Sequence, residues 1–118
     1  MTHNPGELLV RFDSLARQLP FVVTTRRMMG GYVAYADGKV FASLSGGGLG
    51  VKLLGDAHAA AMDRTGARRL RHREDQPESV SYVVFSDDDL ADDDLMVEWL
   101  TLAARGARSA PRTRSRRR

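Results

Sequence analysis

Residues 31–45 read GYVAYADGKVFASLS and contain the clearest structural signal in the sequence. Two segments rich in β-branched and aromatic residues flank Asp37 and Gly38, residue types that tolerate the positive φ angles of a type I′ turn. The pattern therefore predicts a β-hairpin with a two-residue turn.

Further strands are predicted on both sides of this hairpin. The segment LGVKLL (49–54) follows three glycines and would place Leu49, Val51 and Leu53 on one face. Residues 21–28 are β-branched and apolar before they turn basic, and a glycine pair at 30–31 ends them. These strands predict an antiparallel meander.

Two helices are predicted from their capping residues. Asn4 fits an N-cap, followed by Pro5 at the first helical position and Glu7 at the third, and this helix should end before residue 20. Asp56 is predicted to cap a short helix from 57 to about 64, which Gly66 ends.

The segment 67–78 is basic and then acidic, which leaves an edge strand and an exposed loop as open alternatives. Val80 to Phe85 is predicted to be a strand, buried either on the side of Val80, Tyr82 and Val84 or on both faces.

Six aspartates at 87–89 and 92–94 precede a last helix and suit the positive ends of helix dipoles. This helix is predicted to end at Gly106. Its predicted buried residues are Leu95, Met96, Trp99, Leu102 and Ala103. The fold class is therefore α+β, a small antiparallel sheet with N-terminal, middle and C-terminal helices packed against it.

Length and composition indicate one cytoplasmic domain. The chain has 118 residues, of which 42% are hydrophobic and 28% charged, as in ordinary globular proteins. The absence of cysteine excludes disulfides, thiolate nucleophiles and Cys-ligated zinc. No apolar stretch approaches the roughly 20 residues that span a bilayer, and the N-terminus does not resemble a secretory signal.

The charge is divided between two regions. Removing the six arginines of the C-terminal tail leaves 12 basic against 15 acidic residues, a net of −3 for residues 1–106. We therefore expect a folded domain over 1–106 and a disordered tail over 107–118. The tail arginines are Arg108, Arg112, Arg114, Arg116, Arg117 and Arg118. They suit nonspecific, salt-sensitive binding to nucleic acid, and a merely solubilising terminus is the open alternative.

Several catalytic and metal patterns fail on inspection. GGGLG (46–50) lacks the lysine and the following helix of a phosphate loop, and a flexible hairpin loop explains it better. The aspartates do not follow EF-hand spacing, and His3, His58 and His72 share no ligand spacing. Ser43 and Ser45 lack a nucleophile elbow. We expect no enzyme activity, no metal and no cofactor.

Residues 26–44, RRMMGGYVAYADGKVFASL, resemble the N-terminal domain of the TfoX/Sxy family of bacterial competence regulators. Matching positions elsewhere are Leu49, Lys52, Ser81, Tyr82 and Trp99, so the resemblance extends over roughly 7–105. It implies a small antiparallel sheet with packed helices and a regulatory role. The sequence departs from the family pattern at Met29 and Gly50, where aromatic residues are usual, and lacks a second helical domain, so we expect a stand-alone N-terminal domain.

Basic and tyrosine residues near the glycine pair form the candidate site. Arg26 and Arg27 point to opposite faces of a strand, so only one of them joins Lys52, Tyr32 and Tyr82 in a predicted anion- or partner-binding site. The alternative is that one arginine pairs with a carboxylate, while the glycines allow a bulge or close packing.

Three functional hypotheses remain at this point. The leading one is a non-enzymatic regulatory module, linked to transcription or competence, that contacts a protein partner and uses its tail for nonspecific nucleic-acid affinity. The second is an independent nucleic-acid binder, which the net −3 charge disfavours. The third is a small-molecule-binding domain or small enzyme with a pocket near Tyr32, Lys52 and Tyr82. Edge strands also leave pairing between copies open.

Overall fold

A computed structural model describes residues 4–28, 30–71, 79 and 81–109, apart from the side chains of residues 108 and 109. In this part of the chain six antiparallel strands form one sheet, with four helices. The strands are β1 (Val23–Met28), β2 (Gly31–Ala36), β3 (Lys39–Ser45), β4 (Gly48–Lys52), β5 (Arg68–Arg69) and β6 (Tyr82–Val84). The helices are α1 (Pro5–Ala16), α2 (Gly55–Met62), α3 (Asp87–Leu90) and α4 (Asp93–Ser109). The sheet order β1-β2-β3-β4-β6-β5 and the three helix positions confirm the predicted α+β class.

The central hairpin forms as predicted. Asp37 and Gly38 have φ angles of 51° and 86°, which are the positive values that a type I′ turn requires. Ala34 lies opposite Ala42, while the next residue of β2 lies opposite Val40, so β3 carries an extra residue, Phe41, at a bulge.

The core lies between the sheet and helices α1 and α4. Both helices pack against β2, β3 and β4, and α1 also contacts α4. Phe41 is fully buried and its ring lies 6.0 Å from that of Phe12 on α1. Each fully buried side chain of this size contributes about 1.5–3 kcal/mol through removal from water. The sheet is thereby fixed against one helical layer.

The predicted capping of α1 is confirmed, and that of α2 is wrong. The Asn4 side chain accepts hydrogen bonds from the backbone N–H groups of Gly6 and Glu7. Helix α2 begins at Gly55, and its N-cap residue Leu54 provides no side-chain hydrogen bond. Because the helix begins earlier than predicted, Asp56 lies inside its first turn.

The two short strands, β5 and β6, decide between the alternatives that the sequence left open for segments 67–78 and 80–85. β5 is an edge strand, and Leu70 directly after it is completely buried, whereas residues 72–78 lie outside the described part. On β6 and just after it, Val83, Val84 and Phe85 are all buried, so this segment is buried on both faces. Val80 lies outside the described residues.

Helix α4 differs from its prediction in two respects. It continues through Gly106 to Ser109, so the predicted stop is wrong and the first residues assigned to the tail are helical. Leu102 is 43% exposed, whereas Leu100 and Ala104 are buried, because the helical period places the latter two on the stripe that faces the sheet. Residues 110–118, which include most of the predicted tail, lie outside the described residues.

The aspartates lie at helix N-termini as predicted. Asp92 accepts a hydrogen bond from the backbone N–H of Leu95 at the start of α4, and Ser86 caps α3 through the N–H of Asp89. None of the helices in the described ranges is long and apolar enough to cross a membrane.

Candidate functional site

A cleft of about 270 Å³ opens at the end of the sheet where β3 begins and β4 ends. These two strand ends lie side by side because β3 and β4 are antiparallel, with Ala42 opposite Val51. The last turns of α4 and the first turn of α2 close the other sides. The lining residues are Lys39, Val40, Lys52, Leu53, Leu54, Ala57, Leu102, Gly106 and Ala107.

Both lysines of the sequence line this cleft. Lys39 follows the hairpin turn directly and Lys52 is the last residue of β4, and both are half-exposed. Neither ammonium group has an ion-pair or hydrogen-bond partner within the described ranges. Two lysines with no partner among the described residues therefore line one cleft, which favours an anionic occupant.

The N-terminus of α2 adds to this electrostatic environment. Ala57, in the first turn of α2, lines the cleft, and the N-cap residue Leu54 provides no side-chain hydrogen bond to the helix start. Unsatisfied N–H groups at a helix N-terminus carry partial positive charge. Asp56 in the same turn is exposed and offsets part of that charge.

Lys52 and Tyr82 lie directly opposite each other on β4 and β6. Directly opposite residues of an antiparallel pair share a face of the sheet, so the structure brings these two predicted residues together. Burial, and to a lesser extent the neighbouring Tyr35, raises the pKa of Tyr82 above its ordinary value of 10.0. Tyr82 is therefore a neutral hydroxyl group at physiological pH.

The other predicted residues lie elsewhere. Arg27 is opposite Tyr32, and Arg26 is opposite Val33, all on β1 and β2. Tyr32 is on the face that bears the core leucines, because it lies opposite Leu44, whereas Lys52 is on the other face. β1 is separated from β4 by three strand spacings, about 14 Å. The five residues thus form two separate pairs and a lone Arg26, not one site.

The glycine-rich segment 46–50 consists of a two-residue hairpin turn, 46–47, and the start of β4, and it packs closely against the chain around β5. The Arg68 guanidinium donates a hydrogen bond to the Gly47 carbonyl oxygen at 2.8 Å. A Cβ at Gly47 would lie 2.2 Å from the carbonyl oxygen of Arg71. Gly47 is therefore required for close backbone approach, and the segment joins two strands as predicted.

Two of the acidic residues on α3 and α4, Asp89 and Asp93, form ion pairs. Arg64 donates from Nε to Asp89 Oδ2 at 2.7 Å, and Arg11 pairs with Asp93 at 2.6 Å. Within the described residues, no group of three or more histidine, aspartate or glutamate side chains could hold a metal ion.

A family model named TfoX N-terminal domain matches residues 6–107. The match covers most of the chain, including the whole sheet, nearly all of α1 and α4, and every residue of the cleft. The chain belongs to the TfoX N-terminal domain family. No curated protein and no solved structure matches it.

Membership of the TfoX N-terminal domain family suggests a competence-related regulatory or interaction module. The match ends at Ala107, so the predicted tail arginines lie beyond it. Arg108 belongs by its backbone to the last turn of α4, while Arg112, Arg114, Arg116, Arg117 and Arg118 lie outside the described residues.

Sequence reasoning identified Lys52 but missed Lys39 and Leu102 as cleft residues in this TfoX N-terminal domain. Lys39 was predicted only as part of the second hairpin strand, and Leu102 was predicted to be buried. The usable signal was that the sequence contains only two lysines. Their proximity depends on the pairing of β3 with β4 and on the length of α4, which the sequence pattern did not give.

Proposed function

We propose that this chain is a non-enzymatic regulatory domain, linked to competence or transcription, that acts by binding. In this proposal the arginine-rich tail and the two cleft lysines attach nonspecifically to nucleic-acid backbones. The folded domain contacts a protein partner. The family assignment supports the regulatory part, and the cleft supports the electrostatic part.

The observation that carries the proposal is the position of the C-terminal end of α4. Gly106 and Ala107 line the same cleft as Lys39 and Lys52, and the chain leaves α4 from this end. In the sequence, six arginines from 108 onward follow this helix end, which lies beside the two lysines. Together they provide eight cationic groups attached to one end of the domain.

Negative charge is concentrated at the other end of the same helix. Asp92, Asp93 and Asp94 lie at the start of α4, whose 17 residues span about 25 Å. This separation exceeds the Debye length of about 8 Å at physiological ionic strength, so the acidic end barely weakens attraction at the basic end. The net −3 of the folded part does not prevent local binding of a polyanion.

The expected binding is nonspecific. Lysine and arginine side chains contact phosphate groups without reading bases, and the tail contains no aromatic residue on which bases could stack. Release of counterions from the nucleic acid should make the affinity strongly dependent on salt.

The test measures binding of the full chain to random duplex DNA across a salt series. Six arginine contacts predict a log–log slope of about −5, and contacts from both lysines would steepen it by about 2. One variant carries Lys39→Gln and Lys52→Gln, and another replaces the arginines at 112, 114, 116, 117 and 118 by glutamine.

The matched control carries Arg17→Gln and Arg69→Gln, which removes two exposed charges that do not line the cleft. The proposal predicts a shallower slope for the lysine and tail variants and a smaller change for the control. Equal slopes in the lysine variant and the control would exclude the cleft, and an unchanged slope in the tail variant would exclude the tail.

A second candidate function, binding of a small anionic molecule, is supported by the same pair of lysines. The cleft volume of about 270 Å³ lies just below the usual range for ligand pockets, so only a compact ligand such as pyrophosphate would fit. Pyrophosphate should raise the melting temperature of the wild type but not of Lys52→Gln. No shift in the wild type would reject this candidate.

A further inference from the structure

Among the described residues, no strand pairs with the outer edge of β1. β1 is the first strand in the sheet order, and β2 is its one neighbour in the described sheet. The Asp37 N–H donates to the Val22 carbonyl oxygen at 3.0 Å, which identifies this pair as hydrogen-bonded. Because bonded pairs alternate along an antiparallel ladder, Val23, Thr25 and Arg27 direct their N–H and C=O groups away from β2.

Exposed apolar side chains lie at both ends of this edge. Val22 is 70% exposed and Met28 is 43% exposed, and each is among the few large hydrophobic residues that the described chain exposes. They are separated by an even number of positions, so strand alternation places both on the same face of the sheet. The edge thus combines free backbone groups with an apolar residue at each end.

We propose that two copies of this chain associate through antiparallel pairing of their β1 strands about a two-fold axis at Thr25. In this register Val22 of each copy lies opposite Met28 of the other, so the exposed apolar residues cover each other. Pairing through residues 23, 25 and 27 forms about six backbone hydrogen bonds. The two sheets become one continuous sheet, and an edge strand is removed from solvent.

Charge selects this register from its neighbours. With the axis at Thr25, Arg26 lies opposite Thr24 and Arg27 lies opposite Val23 of the second copy. An axis at Arg26 would place Arg26 of one copy directly opposite Arg26 of the other, and these like charges would destabilise the pairing. An axis at Thr24 would place Val22 opposite Arg26 and would leave Met28 without its apolar partner. Of these three registers, the Thr25-centred one avoids both conflicts.

The interface is independent of the cleft and has the opposite salt dependence. Arg26 of the two copies are diagonal neighbours, about 7–8 Å apart, so added salt screens their repulsion. We expect dimerisation of the full chain to strengthen with salt while DNA binding weakens. The oligomeric state is measured by sedimentation equilibrium over a concentration series. A monomer at every concentration would overturn the proposal.

Cysteine cross-linking tests the position of the axis, because the natural sequence contains no cysteine. In Thr25→Cys the two Cα atoms should be about 5.5 Å apart, within the range of a disulfide. In Thr24→Cys they are diagonal neighbours and lie beyond that range. Rapid oxidation of Thr25→Cys alone supports the register, whereas equal rates for both variants would overturn it.

Charge exchange tests the contact between Val22 and Met28 without depending on the cysteines. Val22→Glu with Met28→Glu places like charges opposite each other at both ends and should weaken association roughly tenfold. Val22→Glu with Met28→Lys makes the contacts attractive and should restore it. The control Val10→Glu changes a residue that is 72% exposed on α1 and should have no effect. Equal affinities in the two double variants would overturn the proposal.

Discussion

Leu70 occupies the space in which a side chain at position 50 would lie. A Cβ built on Gly50 would be 2.7 Å from Leu70 Cδ2 and 3.2 Å from Tyr82 Cβ. Leu70 is completely buried, so it has little room to move away. The missing side chain on β4 is therefore matched by a leucine that follows β5, which anchors that edge of the sheet.

This contact predicts that Gly50→Ala destabilises the domain by about 1–3 kcal/mol through overpacking. Leu70→Ala alone should cost about 2–5 kcal/mol, because it leaves a cavity. In the double variant the added methyl group enters that cavity, so the total should be smaller than the sum. Chemical denaturation of all four proteins measures the coupling, and strict additivity would show that the two positions do not interact.

Gly106 offers a stabilising substitution. It lies within α4 and a Cβ there would meet no atom within 4 Å, so Gly106→Ala should raise the free energy of unfolding by about 0.5–1 kcal/mol. The matched change Gly38→Ala should destabilise instead, because Gly38 has a φ of 86° in the hairpin turn. Thermal unfolding compares the two, and a destabilised Gly106→Ala would contradict a continuous helix.

The pair formed by Arg64 and Asp89 makes stability depend on acid. The hydrogen bond from Arg64 holds the pKa of Asp89 below its ordinary value of 3.8. Since the folded-state pKa is lowered, the stabilisation is present above pH 3.8 and is lost as the pH falls through the folded-state pKa.

We expect Asp89→Asn to remove part of the acid dependence of the melting temperature, with a modest effect because solvent screens this pair. Asp88→Asn removes a neighbouring charge that has no ion pair among the described residues and serves as the control. Identical acid profiles for the two variants would show that the ion pair contributes nothing.

The raised pKa of Tyr82 predicts that folding stability falls at alkaline pH, the opposite direction to the effect of Asp89. Burial raises its pKa above 10.0, so the folded state holds this proton more tightly than the unfolded state. The resulting stabilisation is present below pH 10.0 and is lost as the pH rises through the folded-state pKa. Tyr82→Phe should flatten this part of the stability profile, and Tyr32→Phe provides the comparison. Tyrosinate absorbance during an alkaline titration would contradict the prediction if Tyr82 ionised first.

Local rules predicted the elements whose signals are contained in a few adjacent residues. Asp37 and Gly38 specified the turn, and Asn4 specified the start of α1, because both depend on backbone geometry and hydrogen bonds between near neighbours. The rule that a glycine ends a helix failed at Gly106. Glycine ends many helices, yet here the helix continues through Gly106, and Ala103 and Ala104 just before it are buried in the core.

The sequence alone determined the meander, the helix order, the family and the separation of charge between domain and tail. The tertiary structure alone decided that Lys39 and Lys52 share a cleft with the end of α4, and that Arg27 and Tyr32 lie far from Lys52. Strand pairing order and sheet faces set these distances, and residues far apart in the sequence fix both. Turn and cap residues act over three or four positions, so they specify local structure and leave the assembly of a site to long-range packing.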